Sequence, residues 1–200
     1  YPPVKVAGGS LTGMTYQTPV ASAQIKSAVL IAGLQASGMT TVIESSLSRD
    51  HTERMLVEMG VVVDRQDLAT SVTASSLRPL GRYEVPGDIS SAAFLLTAAL
   101  LLPDSAITIE GVGFNATRLG FWEIVHGMGA QIHADTTESR GEPIATIQAL
   151  SSSLQPFDLR GSQLVRAIDE VPILAVLATQ ASGRSYRTVK IVPRNAGRIS

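Results

Sequence analysis

Ser27-Ala28-Val29-Leu30-Ile31-Ala32-Gly33-Leu34-Gln35-Ala36-Ser37-Gly38-Met39-Thr40-Thr41-Val42-Ile43-Glu44 changes its periodicity partway along. It opens as a run of apolar helix formers, turns on the small residues Ser37-Gly38, and closes on β-branched residues that suit a strand. The same order recurs twice. Ser91 to Gly111 reads as the helix SAAFLLTAALL, a turn at Pro103-Asp104-Ser105 and the strand AITIEG. Pro172 to Val192 reads as the helix ILAVLATQA, a turn at Ser182-Gly183 and the strand RSYRTVKIV.

Two of the copies continue with a second helix and strand. His51 to Gly60 leads into Val61-Val62-Val63-Asp64, and Thr117 to Gly129 leads into Ala130-Gln131-Ile132-His133-Ala134. The repeating element is thus strand–helix–strand–helix–strand, with a further strand before the next copy. Copies spaced by about 65 to 80 residues are too long for a solenoid and predict a pseudo-symmetric α/β chain. The more apolar helix of each copy is expected to be buried and the other half-exposed. Tyr1 to Val6 reads as a strand already under way. Ala134 to Pro143 reads as an exposed hairpin or loop, and Ser151-Ser152-Ser153 as a loop. Tyr83-Glu84-Val85-Pro86-Gly87-Asp88 predicts a boundary, because Pro-Gly ends a strand and Asp88 or Ser90 can cap the next helix.

The totals bound the function. The chain has 200 residues, 44% of them hydrophobic and 16% charged, enough for a large core. A net charge of −1 supplies no basic field for nucleic acid or an anionic membrane, so any bound anion needs a local site. Cysteine is absent, which excludes disulfides and thiolate chemistry and is compatible with the cytosol. The longest apolar run, Ala92 to Leu102, is too short to span a bilayer, and no signal peptide is visible. The histidines lack partners at metal-ligand spacing.

Polar residues gather where helices are predicted to begin. Ser22 precedes the first helix, with Gln24 in its first turn and Lys26 one turn on. Taken alone, these three are explained more simply by capping with a solvated Lys26 than by anion binding, since Ser is among the commonest N-caps. Asp50 and Glu53 fit a capping box, with Arg54 exposed. Arg49 is left over, ahead of a helix start where a guanidinium can clamp a phosphate. Pro86-Gly87-Asp88-Ile89-Ser90-Ser91 is explained equally by hinge and cap or by ligand binding. In Gly113-Phe114-Asn115-Ala116-Thr117-Arg118 either Asn115 or Thr117 can cap. Ile168-Asp169-Glu170-Val171-Pro172 places two acids before an apolar helix. They are either a cap with a first-turn acid or a carboxylate that exchanges a proton or binds a hydroxyl. No phosphate or dinucleotide loop is present.

Together, PVASAQIKSA, SRDHTERM, VPGDISSAAFLL, GFNATR and IDEVPILAV resemble the enolpyruvyl transferases, and within them the EPSP synthase family in its class II-like bacterial form, which includes glyphosate-tolerant members. The resemblance implies an α/β fold of repeated βαβαββ units in two lobes, an inside-out α/β barrel, here incomplete. Residues 1–84 would belong to the lobe carrying the shikimate-phosphate site and 85–200 to the second lobe, with a hinge near 84–87. It implies attack of the 5-hydroxyl of shikimate 3-phosphate on C2 of phosphoenolpyruvate and loss of phosphate, with no cofactor and no metal. Ser22, Ala23 through its backbone N–H, Gln24 and Arg49 would bind shikimate 3-phosphate, and Gln24 would also reach phosphoenolpyruvate. Asp169 would bind the hydroxyls and act as the proton-transfer group, while Glu170 receives no role. A cytoplasmic monomer is expected.

Some family groups are missing from the sequence. The N-terminal Lys-Ser and Arg would lie upstream of Tyr1, and the late Arg and Lys beyond Ser200. The Lys-Glu pair expected after Gly183 is replaced by Tyr186 to Ser200, where only Gly197-Arg198-Ile199-Ser200 echoes the motif. These 200 residues are therefore expected to show little or no turnover alone. The alternatives are the sister UDP-N-acetylglucosamine enolpyruvyl transferase and a non-catalytic binding module of the same fold.

Overall fold

The computed structural model describes residues 3–138, 141–159, 163, 166–182 and 186–187. The chain divides into two compact units, residues 1–85 with 138–142, and 86–137 with 143–200.

In the first unit β1 (Thr15–Gln17), α1 (Ala23–Gly33), β2 (Met39–Ile43), α2 (His51–Glu58), β3 (Asp64–Gln66) and β4 (Ala69–Thr73) build a four-stranded sheet in the order β1-β2-β4-β3. β1 and β2 run parallel, Thr15 opposite Thr41, so their connection must cross over, and α1 is that crossover. β4 pairs antiparallel with β2 and with β3. Leu30 and Leu34 of the α1 segment, Leu56 of α2, and Val42, Val61 and Val72 form the core. Gly33 permits the helix–sheet approach: a Cβ there would stand 2.7 Å from Cβ of Thr40.

The second unit repeats this order. Gly87 makes a parallel bridge to Val112, and α3 (Ile89–Leu101), β5 (Ala106–Gly113), a 3-10 turn (Ala116–Arg118), α4 (Gly120–Gly127), β6 (Gln131–Glu138) and β7 (Pro143–Leu150) come after it. The sheet order β5-β7-β6, with the Gly87 bridge on the β5 side, matches β1-β2-β4-β3. A third parallel pair, β8 (Asp158–Leu159) with β9 (Tyr186–Arg187), flanks α5 (Val171–Gln180). Leu96, Leu100, Phe121, Val125, Met128, Ile147, Leu174 and Leu177 lie in one continuous core. The repeat read from the sequence thus recurs down to strand order in two copies and begins again in a third.

Several local expectations need correction. Residues 3–11 form no strand, and the first strand begins at Thr15. The strand expected at Val61 starts at Asp64, because Val61 turns into the core directly after Gly60 in the left-handed conformation. The apolar helices are buried on one face only: Phe94 and Leu95 of α3 are 57% and 55% exposed. A helix laid on a single sheet covers only the face that meets it. The hairpin expected at Ala134 to Pro143, by contrast, is met: β6 ends at Glu138, β7 starts at Pro143, the two are neighbours in the sheet, and residues 135–137 are exposed. The altered tail after Gly183 lies outside the described residues, apart from the backbone of β9.

Candidate functional site

In the first unit the site is built on two helix starts. Ser22 is the N-cap of α1, its extended backbone (φ −147°, ψ 110°) releasing the first-turn N–H groups and its Oγ accepting from the Ile25 N–H at 3.4 Å. Ser22 also donates to Oε1 of Gln24 at 3.2 Å, so the two polar side chains stand together at the helix end, with Ala23 between them. Neither acids nor bases occupy the first turn of α1 except Lys26, which does not face solvent. Lys26 is 1% exposed, its Nζ 2.8 Å from Oε2 of Glu44 and 2.7 Å from Oε1 of Glu53. It is therefore a buried structural cation, contrary to both sequence readings of a solvated lysine and of an anion ligand.

Those contacts bring α2 alongside. Lys26 meets Glu53 in the first turn of α2, and Ser27 shares a 2.7 Å hydrogen bond with Thr52. The half-buried Arg49 sits in the loop entering α2, three residues before Thr52. The expected capping box at Asp50 is not formed. Asp50 is buried and pairs with Arg54 (3.1 Å) and Arg65 (3.0 Å), making no cap hydrogen bond. Glu53 turns to Lys26. Two buried carboxylates find stronger partners in these cations than in a backbone N–H.

In the second unit three loop-to-helix transitions meet at Arg118, a residue to which sequence reasoning gave no role. Asp88 caps α3, accepting from the Ser91 N–H at 3.0 Å, and Asn115 caps the 3-10 turn, accepting from the Thr117 N–H at 2.9 Å. That turn delivers Arg118, 13% exposed, whose guanidinium lies 3.0 Å from Oδ1 of Asp88, 3.3 Å from Oδ2 of Asp169 and 3.9 Å from Oε1 of Glu170. It also donates to Oγ of Ser90 at 2.5 Å. Burial pushes the Asp88 carboxyl up, but hydrogen bonds from Ser91 and Ser90 and the Arg118 charge outweigh it and hold the group below its usual value.

Asp169 and Glu170, adjacent in sequence, part company here. Glu170 is 2% exposed at its side chain and accepts the hydroxyl proton of Ser90, while Asp169 is 47% exposed. Asp169 does not occupy the cap position of α5. The residue at the cap position of α5 is Glu170, without a side-chain cap bond, and Pro172 begins the helix. The only signal for Arg118 in the sequence was its place in the GFNATR motif. Among the described residues no three His, Asp or Glu are grouped to hold a metal ion, and no helix is long and apolar enough to cross a membrane.

Repeated strand–helix units, with hydroxyl and guanidinium groups at their helix starts, define an α/β protein. Comparison narrows that class. The family model for EPSP synthase (3-phosphoshikimate 1-carboxyvinyltransferase) matches residues 1–188, and the chain belongs to that family. It is 50% identical over 186 residues to a 3-phosphoshikimate 1-carboxyvinyltransferase of Anaeromyxobacter sp. (strain K), covering 92% of this chain and 42% of that protein. With the same enzyme of Bacillus subtilis (strain 168) it is 46% identical over 184 residues, covering 92% and 43%. The solved EPSP synthase from Acinetobacter baumannii superposes with a TM-score of 0.86 at 40% identity, over 94% of this chain and 43% of that one. The chain thus spans less than half the length of the relatives it matches.

Proposed function

We propose that this chain carries the shikimate 3-phosphate half of an enzyme that transfers the enolpyruvyl group of phosphoenolpyruvate to the 5-hydroxyl of that acceptor, releasing phosphate. Ser22, the Ala23 N–H and Gln24 at the start of α1, with Arg49 at the start of α2, bind shikimate 3-phosphate. Gln24 also contacts phosphoenolpyruvate. Asp169 takes the proton of the attacking hydroxyl and binds the acceptor's hydroxyls. The residues belong to two lobes of the inside-out barrel fold, residues 1–84 in one and 85–200 in the other, and the whole enzyme works without metal or organic cofactor.

The observation that carries the reading is the pairing of the two helix starts in the first unit by Lys26–Glu53 and Ser27–Thr52. Two N–H-rich, positively polarised ends side by side, with a hydroxyl cap on one and a guanidinium at the other, suit a phosphate. Burial favours Asp169 over Glu170 for proton transfer, since a buried carboxylate already bonded to Ser90 is less accessible to a substrate hydroxyl.

Calorimetric titration with shikimate 3-phosphate, with and without phosphoenolpyruvate, tests this. Binding is expected, with a loss of about tenfold or more in Arg49→Gln, since a charge-assisted contact is removed. A parent chain that shows no heat of binding to shikimate 3-phosphate refutes the assignment. Product analysis is expected to show little or no EPSP from these 200 residues alone.

A further inference from the structure

The buried ion network beneath the two helix starts has geometry that stability does not explain. Lys26, Glu44 and Glu53 are all nearly inaccessible, and one cation faces two carboxylates. Oε2 of Glu53 has no hydrogen-bond partner among the described residues. A half-satisfied buried network is less stable than a well-packed apolar one of similar volume. Among the described residues, its side-chain contacts lead on to the segment entering α2. Glu44 accepts from the hydroxyl of Ser48, the residue before Arg49. Asp50, the residue after Arg49, is fixed by Arg54 and Arg65. Glu53 and the neighbouring Thr52 tie the first turn of α2 to Lys26 and Ser27 of α1. Arg49 is therefore flanked on both sides by residues locked into buried or part-buried polar contacts, and the turn carrying Ser22 and Gln24 is bolted to the same lysine.

We infer that Lys26, Glu44 and Ser48 are positioning residues of the anion half-site: they preset the backbone of Arg49 against the start of α1 and act on ligand only through Arg49. The inference rests on the reading of Ser22 and Arg49 as shikimate 3-phosphate ligands. Ser48 is the link to cut, because Ser48→Ala removes one hydroxyl and leaves every buried charge paired. Lys26→Met, by contrast, would strand two carboxylates.

Calorimetry with shikimate 3-phosphate should show Ser48→Ala binding about three- to tenfold more weakly, the scale of one hydrogen bond, and Ser48→Thr restoring the parent affinity. In an Arg49→Ala background, Ser48→Ala should change the affinity by less than about 1.5-fold, because coupled residues are non-additive. Hydrogen exchange at the amides of Arg49 to Thr52 should quicken about tenfold in Ser48→Ala while that of β2 and β4 stays unchanged. Equal affinity in Ser48→Ala and parent, or additive losses in the Arg49→Ala background, overturns the inference. If the parent does not bind shikimate 3-phosphate, the functional reading falls, and the exchange measurement alone decides the network's role. Unaltered exchange in the loop then overturns it.

Discussion

Arg118 offers the sharpest energetic test, because four groups converge on it and their exposures differ. Replacing it with Met keeps the aliphatic stem and removes the guanidinium. Its pairs with Asp88 and Asp169, both about half exposed, contribute at most ~1 kcal/mol each after solvent screening. The Glu170 carboxylate is different: it is 2% exposed and 3.9 Å away. At an effective dielectric of 20 that separation corresponds to ~4 kcal/mol of gross attraction, most of it offset by desolvation of the two charges. The hydrogen bond from Nη2 to Ser90 contributes ~1.5 kcal/mol, since the donor is charged. A loss of about 3 kcal/mol is therefore expected for Arg118→Met, and about half that for Arg118→Lys, which keeps the charge and loses the planar fork. Trp122, the chain's single tryptophan, lies in the second unit with its ring edge-on to Phe114 at 5.1 Å, and its fluorescence reports urea unfolding of that unit. A midpoint shift equivalent to less than ~0.5 kcal/mol, at unchanged m-value, would refute the hub reading and leave Arg118 as one more surface ion pair.

Lys26→Met should leave two buried carboxylates without their cation and cost at least ~4 kcal/mol, enough to abolish folding of a marginal chain; circular dichroism checks this. Lys26→Met combined with Glu44→Gln and Glu53→Gln should fold, and a triple variant as unstable as the single one would contradict the charge argument. The Asp88 carboxyl, held below its ordinary value of 3.8, stabilises the native state only while ionised. Its contribution is complete above 3.8 and disappears as the pH falls through the lower folded value. Asp88→Asn should therefore show a shallower fall in melting temperature below about pH 4 than the parent, and identical acid limbs would contradict the assignment. Gly33→Ala should cost about 1–3 kcal/mol, because the added methyl meets Thr40 at 2.7 Å and α1 must lift from β2. Thermal unfolding at or above the parent midpoint would show that the helix shifts without strain.

The range of each interaction decides how much of it was legible in the sequence. Helix, turn and strand in Ser27 to Glu44 are written in the local alternation of residue types, and three copies of that alternation specify the repeat. The caps Ser22, Asp88 and Asn115 were also legible, since each accepts from an N–H two or three residues on. Asp50 and Glu53 carry the same local signature and do something else. Their partners lie outside the window that a capping box inspects: Arg65 for Asp50, and for Glu53 a lysine on a different helix. Lys26 was misread as solvated for the same reason, as its Glu44 partner is 18 residues away across the helix–strand turn. Arg118 is the extreme case, with Asp169 51 positions on.

The adjacent acids Asp169 and Glu170 show why pattern alone could not assign a role to either. Spacing treats neighbours as equivalent. In a turn ahead of a helix, however, successive side chains point different ways, and here one enters the protein while the other stays half exposed. The buried one is held by Ser90, itself in the first turn of α3, so the acid pair is fixed by the helix start of the preceding repeat. Glu170 thus spends its charge on joining α5 to α3, and that anchoring sets the backbone from which Asp169 projects. The resemblance to the family implies a role for Asp169 and none for Glu170, and the structure shows Glu170 already committed to Ser90 while Asp169 stays half exposed. Exchanging the two roles would require Glu170 to leave Ser90 and the Arg118 guanidinium, exposing the α3–α5 contact to water, a far larger change than moving a solvent-facing carboxylate by one rotamer.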